Sequence, residues 1–481
     1  MAWPQRVLFD LLGGFHRRKS TEVQGQRASS LSAMGGLTWT LVIWVMVLLV
    51  LGREGVLSRQ RGRRLHLSRI EVAIIAVLLG THSLVGGSNV EDILANPVVL
   101  ERVIRGALSG VGLLLVVPNL RATIPELKTG HWPAMTALSA YAGVAAASVL
   151  YSAAPIVTVG KVFELSAGLA IAWALLSSSS VKQHLSDAIR LVVVLEGAII
   201  GVALIGFFVL PDMFTSFGDS RPGFLLDRVM GSPSAHPNTL SASGALVAAY
   251  ALAAVFRSES RSEKVQWMVW SIVGTLSMLF ASGRQGLVIW LAAVAVLLWI
   301  HRRRLFIVVI APLTALVLVA NWEVLWDAIT RNQSSETLAT LSSRLIWWGA
   351  AIEAWKSHPF TGYGYGVGGR FVALRGLSNT ASVHSGYLEA LVGLGLIGTL
   401  LLMIVLTRVA LWAVPRLRQG LDTTAPILVI PLLLHTGVSL GFAGWLNADF
   451  LLFAFLALSS DLAFRERRRL GRLPPDRVVA H

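Results

Sequence analysis

Long apolar runs alternate with short polar segments along almost the whole chain of 481 residues. Most runs are roughly 17 to 25 residues long, which is the length of helix that crosses a hydrocarbon layer about 30 Å thick. The pattern therefore predicts an all-α polytopic membrane protein. Thirteen candidate spans lie near residues 37–52, 70–86, 102–118, 133–151, 162–178, 188–210, 238–256, 265–281, 286–301, 304–321, 385–407, 425–443 and 446–463.

Composition agrees with this pattern and excludes several functions. Hydrophobic residues make up 54% of the chain and charged residues 14%, which no soluble domain of this length shows. The net charge of +15 comes from basic clusters in short loops, so it indicates membrane topology and no nucleic-acid partner. The absence of cysteine excludes disulfides, Cys-ligated zinc and a thiol nucleophile.

Basic residues cluster in every second loop between the apolar runs. Short loops rich in Lys and Arg stay in the cytoplasm, because these charges are hard to translocate. The predicted cytoplasmic segments are 59–64, 257–264, 301–304, the loop with Arg416 and Arg418, and 465–469. The predicted outer loops are 86–97, 212–237, 282–286 and 323–384.

The first apolar run decides the number of spans. Thirteen crossings would place the basic N-terminal tail outside, against the charge rule. We therefore predict about twelve spans with both ends inside, and thirteen is the alternative. The predicted organisation is a basic cytoplasmic or interfacial tail, spans with short loops, a structured outer loop with an amphipathic helix, C-terminal spans and a basic cytoplasmic tail. These parts are 1–36, 37–322, 323–384, 385–463 and 464–481.

The outer loop at 323–384 has the strongest local signals. Leu345, Trp348, Ile352 and Trp355 share one face of a predicted helix, which we expect to lie in the membrane interface. Pro359 ends this helix. A glycine-rich run follows, with glycines at positions 362, 364, 366, 368 and 369, which allow tight turns or close approach to a ligand. His384 stands at the mouth of the next span.

The order of these motifs resembles the bacterial O-antigen ligase and O-antigen polymerase superfamily. Upstream segments around Arg228 and Arg284 are also similar to that superfamily, and Ser385 stands where it usually has Asn. The resemblance implies an architecture of the GT-C type. The residues that carry it are Arg344, Trp348, Pro359, Gly362, Gly364, His384, Tyr387, Leu388, Leu391, Gly395 and Gly398, with Arg228, Gly231, Pro237, Asn238 and Arg284 upstream.

The resemblance implies transfer of an oligosaccharide from undecaprenyl diphosphate to a hydroxyl of a glycan or lipid-linked acceptor. Arg284 and Arg228 would hold the diphosphate, because a guanidinium stays charged and forks onto phosphate oxygens. Arg221 and Arg344 are further candidates for diphosphate binding. His384 would be the base, since imidazole takes up a proton near neutral pH. No metal or cofactor is implied. The protein would lie in the bacterial inner membrane, with its site on the non-cytoplasmic side.

Each of these residues also has a structural alternative. Arg284 and Arg228 could be loop charges in headgroup water, Arg344 could pair with lipid headgroups, and His384 could cap a helix.

Several ionisable residues lie in predicted spans or at their ends. Lys161 and Glu164 are three residues apart, and we expect them to neutralise each other. His435 and Asp449 are interpreted as packed polar contacts, and a structural role is also favoured for Glu196.

Two other classes of protein remain open at this point. A transporter or flippase of lipid-linked oligosaccharides would also have about a dozen spans, although no internal repeat is evident. A peptidoglycan polymerase of the shape, elongation and division group would also use a lipid carrier outside. Within the favoured superfamily, the sequence leaves ligase and polymerase as alternatives.

Overall fold

The computed structural model describes residues 68–82, 100–209, 214, 237–301, 343–373, 382–420, 422–444 and 446–470. These parts are helical and contain no β-strand. The predicted spans near 37–52 and 304–321, the two predicted tails up to residue 36 and beyond 470, and Arg221 and Arg228 lie outside the described residues.

Eight long helices precede the predicted outer loop, and each coincides with one of the predicted spans. Short 3₁₀ turns at 148–150 and 175–177 extend two of them. The helices are α1 (Arg69–His82), α2 (Leu100–Thr129), α3 (Pro133–Ala147), α4 (Pro155–Ala174), α5 (Val181–Val209), α6 (Pro237–Arg257), α7 (Arg261–Phe280) and α8 (Arg284–Ile300).

Six helices follow in the C-terminal part, and the shortest of them divide one predicted span into pieces. A π-helical segment, Gly368–Ala373, lies after the first of the six. The helices are α9 (Arg344–Ser357), α10 (Gly386–Gln419), α11 (Thr424–Ile427), α12 (Val429–Val438), α13 (Gly441–Gly444) and α14 (Ala448–Leu470).

Six segments among the described residues are long and apolar enough to cross a membrane, namely most of α2, α3 with its 3₁₀ extension, α4 with its 3₁₀ extension, α5, α6 and α10. Helix α7 adds an exposed apolar stripe along its whole length, including Val265, Ile272 and Leu279. Exposed apolar surface of this extent is unfavourable in water but favourable in lipid. The chain is therefore a multi-pass membrane protein.

Small residues set the closest helix contacts. Gly244 of α6 and Gly274 of α7 face each other, and a Cβ at either would lie within 2.7 Å of the other's carbonyl oxygen. Such glycine contacts let helix backbones approach closely, which favours association in membranes. They hold α6 and α7 as one unit beside α8.

Helix α9 differs from the predicted amphipathic arrangement. Trp348 and Trp355 are partly buried and pack with a cluster that includes Ala351, but Leu345 and Ile352 are exposed. The four residues therefore do not act as one face. One side of the helix packs on the protein, and the outward side carries apolar Leu345 and Ile352 together with the charged pair Glu353 and Lys356.

Buried Asp461 of α14 holds the start of α3. Its two carboxylate oxygens accept hydrogen bonds from the backbone N–H groups of Ala134 and Met135, at 3.1 and 3.0 Å. The first N–H groups of a helix have no partner inside it, so a carboxylate from another helix stabilises them. Sequence reasoning missed this cap, because the two helices are more than 300 residues apart.

Candidate functional site

The first turns of three helices meet around Gln285. Its side-chain nitrogen donates to the carbonyl of Asn238, at 2.7 Å, which joins α8 to α6. Nη2 of Arg344 lies 3.5 Å from its side-chain oxygen, which joins α9 to α8. Because Arg284 directly precedes Gln285 in the sequence, the contact with Gln285 places Arg344 near Arg284.

Arg284 and Arg344 are both partly buried, and the charge of Arg284 acts on Arg344. Burial lowers the pKa of the Arg344 guanidinium, and the charge of nearby Arg284 lowers this pKa further. Both groups stay charged at physiological pH because arginine starts from such a high pKa. Two partly desolvated positive charges beside helix N-termini make a place where an anion is favoured.

The start of α8 is fixed against α6. The hydroxyl of Ser241 donates to the carbonyl of Gly283 at 3.0 Å. Gly283 and Gly286 both face Ser241 so closely that neither has room for a side chain. The backbone around Arg284 is therefore held by packing as well as by hydrogen bonds.

His384 lies beside α9, the helix that begins with Arg344. Its ring lies 5.1 Å from that of Trp347, with 31° between the ring planes. The indole N–H of Trp348 donates to the carbonyl of Val383 at 3.1 Å. Arg344 is one helical turn from these two tryptophans, so α9 connects the arginine pair to His384.

Three residues near these helix starts have left-handed backbone conformations. They are Ser282 with φ 51°, Ser343 with φ 68° and His384 with φ 52°. Non-glycine residues adopt such angles rarely, and the strain clusters at functional sites. At His384 the backbone N–H donates to the hydroxyl of Ser382 at 3.0 Å.

Ser385 is the N-cap of α10. Its side chain accepts a hydrogen bond from the backbone N–H of Leu388, at 3.5 Å. Asn and Ser are both good N-caps. The departure from the superfamily pattern at this position therefore preserves the local structure around His384.

The glycine-rich run packs into a break in α10. Gly395 has φ 64° and ψ −162°, which interrupts the helix. The carbonyl of Val392 accepts from the N–H of Tyr363 at 2.9 Å, and the N–H of Leu396 donates to the carbonyl of Pro359 at 2.8 Å. Gly362 and Gly368 therefore approach the backbone of α10, whereas Gly366 faces the side chain of Lys161.

A buried ionic cluster lies beside this loop. Glu164 contacts Lys161 at 3.1 Å and Nε of Arg105 at 2.9 Å. The predicted pairing of Lys161 with Glu164 is confirmed, but no signal in the sequence indicated Arg105. A second guanidinium nitrogen of Arg105 donates to the carbonyl of Leu446, at 2.8 Å. The cluster ties α2, α4 and the start of α14 together.

The other predicted polar contacts lie deeper among the helices. His435 and Asp449 contact each other, with Nδ1 and Oδ2 2.7 Å apart, which confirms their interpretation as packed polar residues. Glu196 is buried in α5. Within the described ranges, no group of three His, Asp or Glu side chains is placed to hold a metal ion.

The structure places Arg344 near Arg284, and it packs His384 against Trp347, one helical turn from Arg344. The family model described as O-antigen ligase matches residues 269–403, which include all of these residues. This segment is therefore similar to the O-antigen ligase family. A comparison with curated proteins finds no match. The matched segment runs from residue 269 in α7 to residue 403, near the middle of α10, so Arg221, Arg228 and the cluster around Glu164 precede it.

Proposed function

We propose that the chain is a membrane glycosyltransferase that moves an oligosaccharide from undecaprenyl diphosphate to a hydroxyl of a glycan or lipid-linked acceptor. The observation that carries the proposal is the placement of Arg284 and Arg344 at two adjoining helix starts, with His384 packed beside the same helix α9. The match of residues 269–403 to the family model described as O-antigen ligase supports the same reaction class.

In the proposed reaction, the acceptor hydroxyl oxygen attacks the anomeric carbon and the bond from that carbon to the diphosphate oxygen breaks. The imidazole of His384 takes the hydroxyl proton. Arg284 and Arg344 stabilise the charge that builds on the leaving diphosphate. Arg228 and Arg221 would add to this site from the preceding outer loop. Because arginines supply the positive charge, we propose that the reaction needs no metal.

We place the site on the outer face of the bacterial inner membrane. Helix α10 has His384 just before its N-cap and Arg416 and Arg418 in its last turn. Basic ends favour the cytoplasm, so the end with His384 would face outward. The proposed architecture has about twelve spans, a GT-C-like arrangement and the five parts given above.

The test is an assay with purified protein, a lipid-linked oligosaccharide and candidate acceptors. His384→Asn is the sharpest variant, because Asn tolerates the left-handed conformation but is no base. We expect His384→Asn and Arg284→Gln to lose glycan transfer while yield and folding stay normal, and the native chain to remain active in EDTA.

Each outcome of this assay has a distinct meaning. A ladder of products identifies a polymerase, and a single addition identifies a ligase. Full transfer by both variants would refute the proposed site. Movement of the carrier across vesicles without a new glycosidic bond would instead identify a transporter.

A further inference from the structure

Two buried polar side chains lie near the turn that carries His384 and take no part in the proposed reaction. His435, near the end of α12, is 5% exposed, and Asp449, in the first turn of α14, is 6% exposed. Nδ1 of His435 and Oδ2 of Asp449 are 2.7 Å apart. A hydrogen bond between imidazole and carboxylate is strong when buried, so the pair fixes α12 to α14.

The second ring nitrogen of His435 makes the pair unusual. Nε2 is buried and has no hydrogen-bond partner in the part of the chain that the structure describes. An unsatisfied buried polar atom costs free energy, and two apolar side chains would join the helices without that cost. Stability alone therefore does not explain the pair.

The bend that follows His435 receives the first turn of α10. The backbone N–H of Gly386 donates to the carbonyl of Ser439 at 2.7 Å. A Cβ at Gly386 would collide with the carbonyl of Leu440 and the side chain of Thr436, which directly follows His435. The backbone of Gly386, two residues after His384, is therefore packed against this bend.

His384 needs such support, because its φ of 52° is strained for a non-glycine residue. Strained conformations persist only where the surrounding structure holds them. The bond from Gly386 to Ser439 lies on one side of His384, and the bond from His384 to Ser382 lies on the other.

We propose that His435 and Asp449 are positioning residues for His384. The hydrogen bond between them fixes the bend between α12 and α14. This bend in turn holds the backbone at Gly386, and so the conformation of His384. This inference rests on the proposed function, in which His384 takes the acceptor proton.

The test compares two substitutions of His435. His435→Leu keeps an apolar volume but cannot bond to Asp449, whereas His435→Gln keeps an N–H donor for it. We expect His435→Leu to lower kcat about ten- to a hundredfold, because small misplacements of reacting groups have effects of this size. KM for the lipid-linked donor should stay unchanged, since Arg284 and Arg344 are intact, and His435→Gln should recover most of kcat.

Asp461→Asn is the matched control, because Asp461 is also a buried carboxylate that joins two helices, but in the opposite half of α14. It should lower the thermal midpoint without lowering kcat of the folded protein. A native kcat in His435→Leu, or an equal loss of kcat in Asp461→Asn, would overturn the inference. If His435→Leu does not accumulate, Asp449→Asn replaces it, and a native kcat there overturns the inference equally.

His384→Asn separates the two proposals. If it keeps full transfer, His384 is not the base and the positioning role fails with it; if the native chain shows no transfer at all, the proposed function fails. If it is inactive while His435→Leu has native kcat, only the positioning role fails.

Discussion

Arg284 is close enough to Arg344 for its positive charge to lower the pKa of the Arg344 guanidinium. A diphosphate between them would remove this repulsion, because each guanidinium can donate two hydrogen bonds to phosphate oxygens. The free site is thus less favourable electrostatically than the occupied site. Binding of the donor should therefore depend on both arginines.

Arg344→Gln is expected to raise KM for the lipid-linked donor at least tenfold. A hydrogen bond to a charged group contributes about 1.5–3 kcal/mol, which corresponds to roughly ten- to a hundredfold in affinity. Inorganic pyrophosphate should compete with the donor in the native chain and less well in the variant.

Lys356→Gln is the control for Arg344→Gln. Lys356 is exposed at the other end of α9 and pairs with Glu353 at 2.8 Å. Its loss should leave KM unchanged. Equal KM values in Arg344→Gln and the native chain would remove Arg344 from the donor site.

Helix α10 consists of two segments that meet at Gly395. The second segment, from Leu396 to Gln419, is about 36 Å long at 1.5 Å per residue, so it can cross the bilayer alone. The first segment begins directly after His384 and Ser385. The strip at 359–364 satisfies the backbone groups that the break leaves open, at Val392, Gly393 and Leu396.

Gly395→Ala should lower the thermal midpoint of the purified protein and reduce its yield. Its φ of 64° is unfavourable for alanine, and a Cβ there would collide with the backbone of Phe360. Gly349→Ala is the matched control in α9, where a Cβ has open space. That change should leave stability equal or slightly higher, by up to about 1 kcal/mol. Equal midpoints for the two variants would show that the break is not needed.

Long apolar helices such as α5 and α6 could be predicted from the sequence, because one span's length is a local property. The break at Gly395 could not, since it depends on hydrogen bonds to a loop more than 30 residues earlier. His384 and Arg344 carried motif signals. The contacts of Arg105, Gln285 and Asp461 had none, because a single polar residue does not specify its distant partner.

At the scale of the whole molecule, ion pairs join neighbouring helices at the end that carries the basic loops. At the end of α6 opposite Asn238, Arg257 contacts Asp422 of the loop after α10. At the end of α14, Glu466 contacts Lys182 at 2.7 Å. Ion pairs thus join neighbouring helices at the end that the charge rule places in the cytoplasm.

This orientation can be tested by labelling, because the natural chain has no cysteine. Ser357→Cys, at the exposed end of α9, should react with a membrane-impermeant maleimide in intact spheroplasts. Ser262→Cys, in the exposed first turn of α7, should react only after the membrane is permeabilised. The reverse result would place the proposed site in the cytoplasm.

The break at Gly395 also lets the two segments of α10 keep separate rotational orientations. Each residue added to a helix turns everything beyond it by about 100°. In an unbroken helix, any insertion would rotate His384 relative to the membrane-crossing part. In α10, hydrogen bonds from residues 359–364 hold Val392 and Leu396 on the two sides of the break, so an insertion within residues 400–410 would rotate only the end with Arg416 and Arg418. The segment after Gly395 can therefore change in length to match the thickness of a bilayer, while the orientation of the His384 imidazole stays the same.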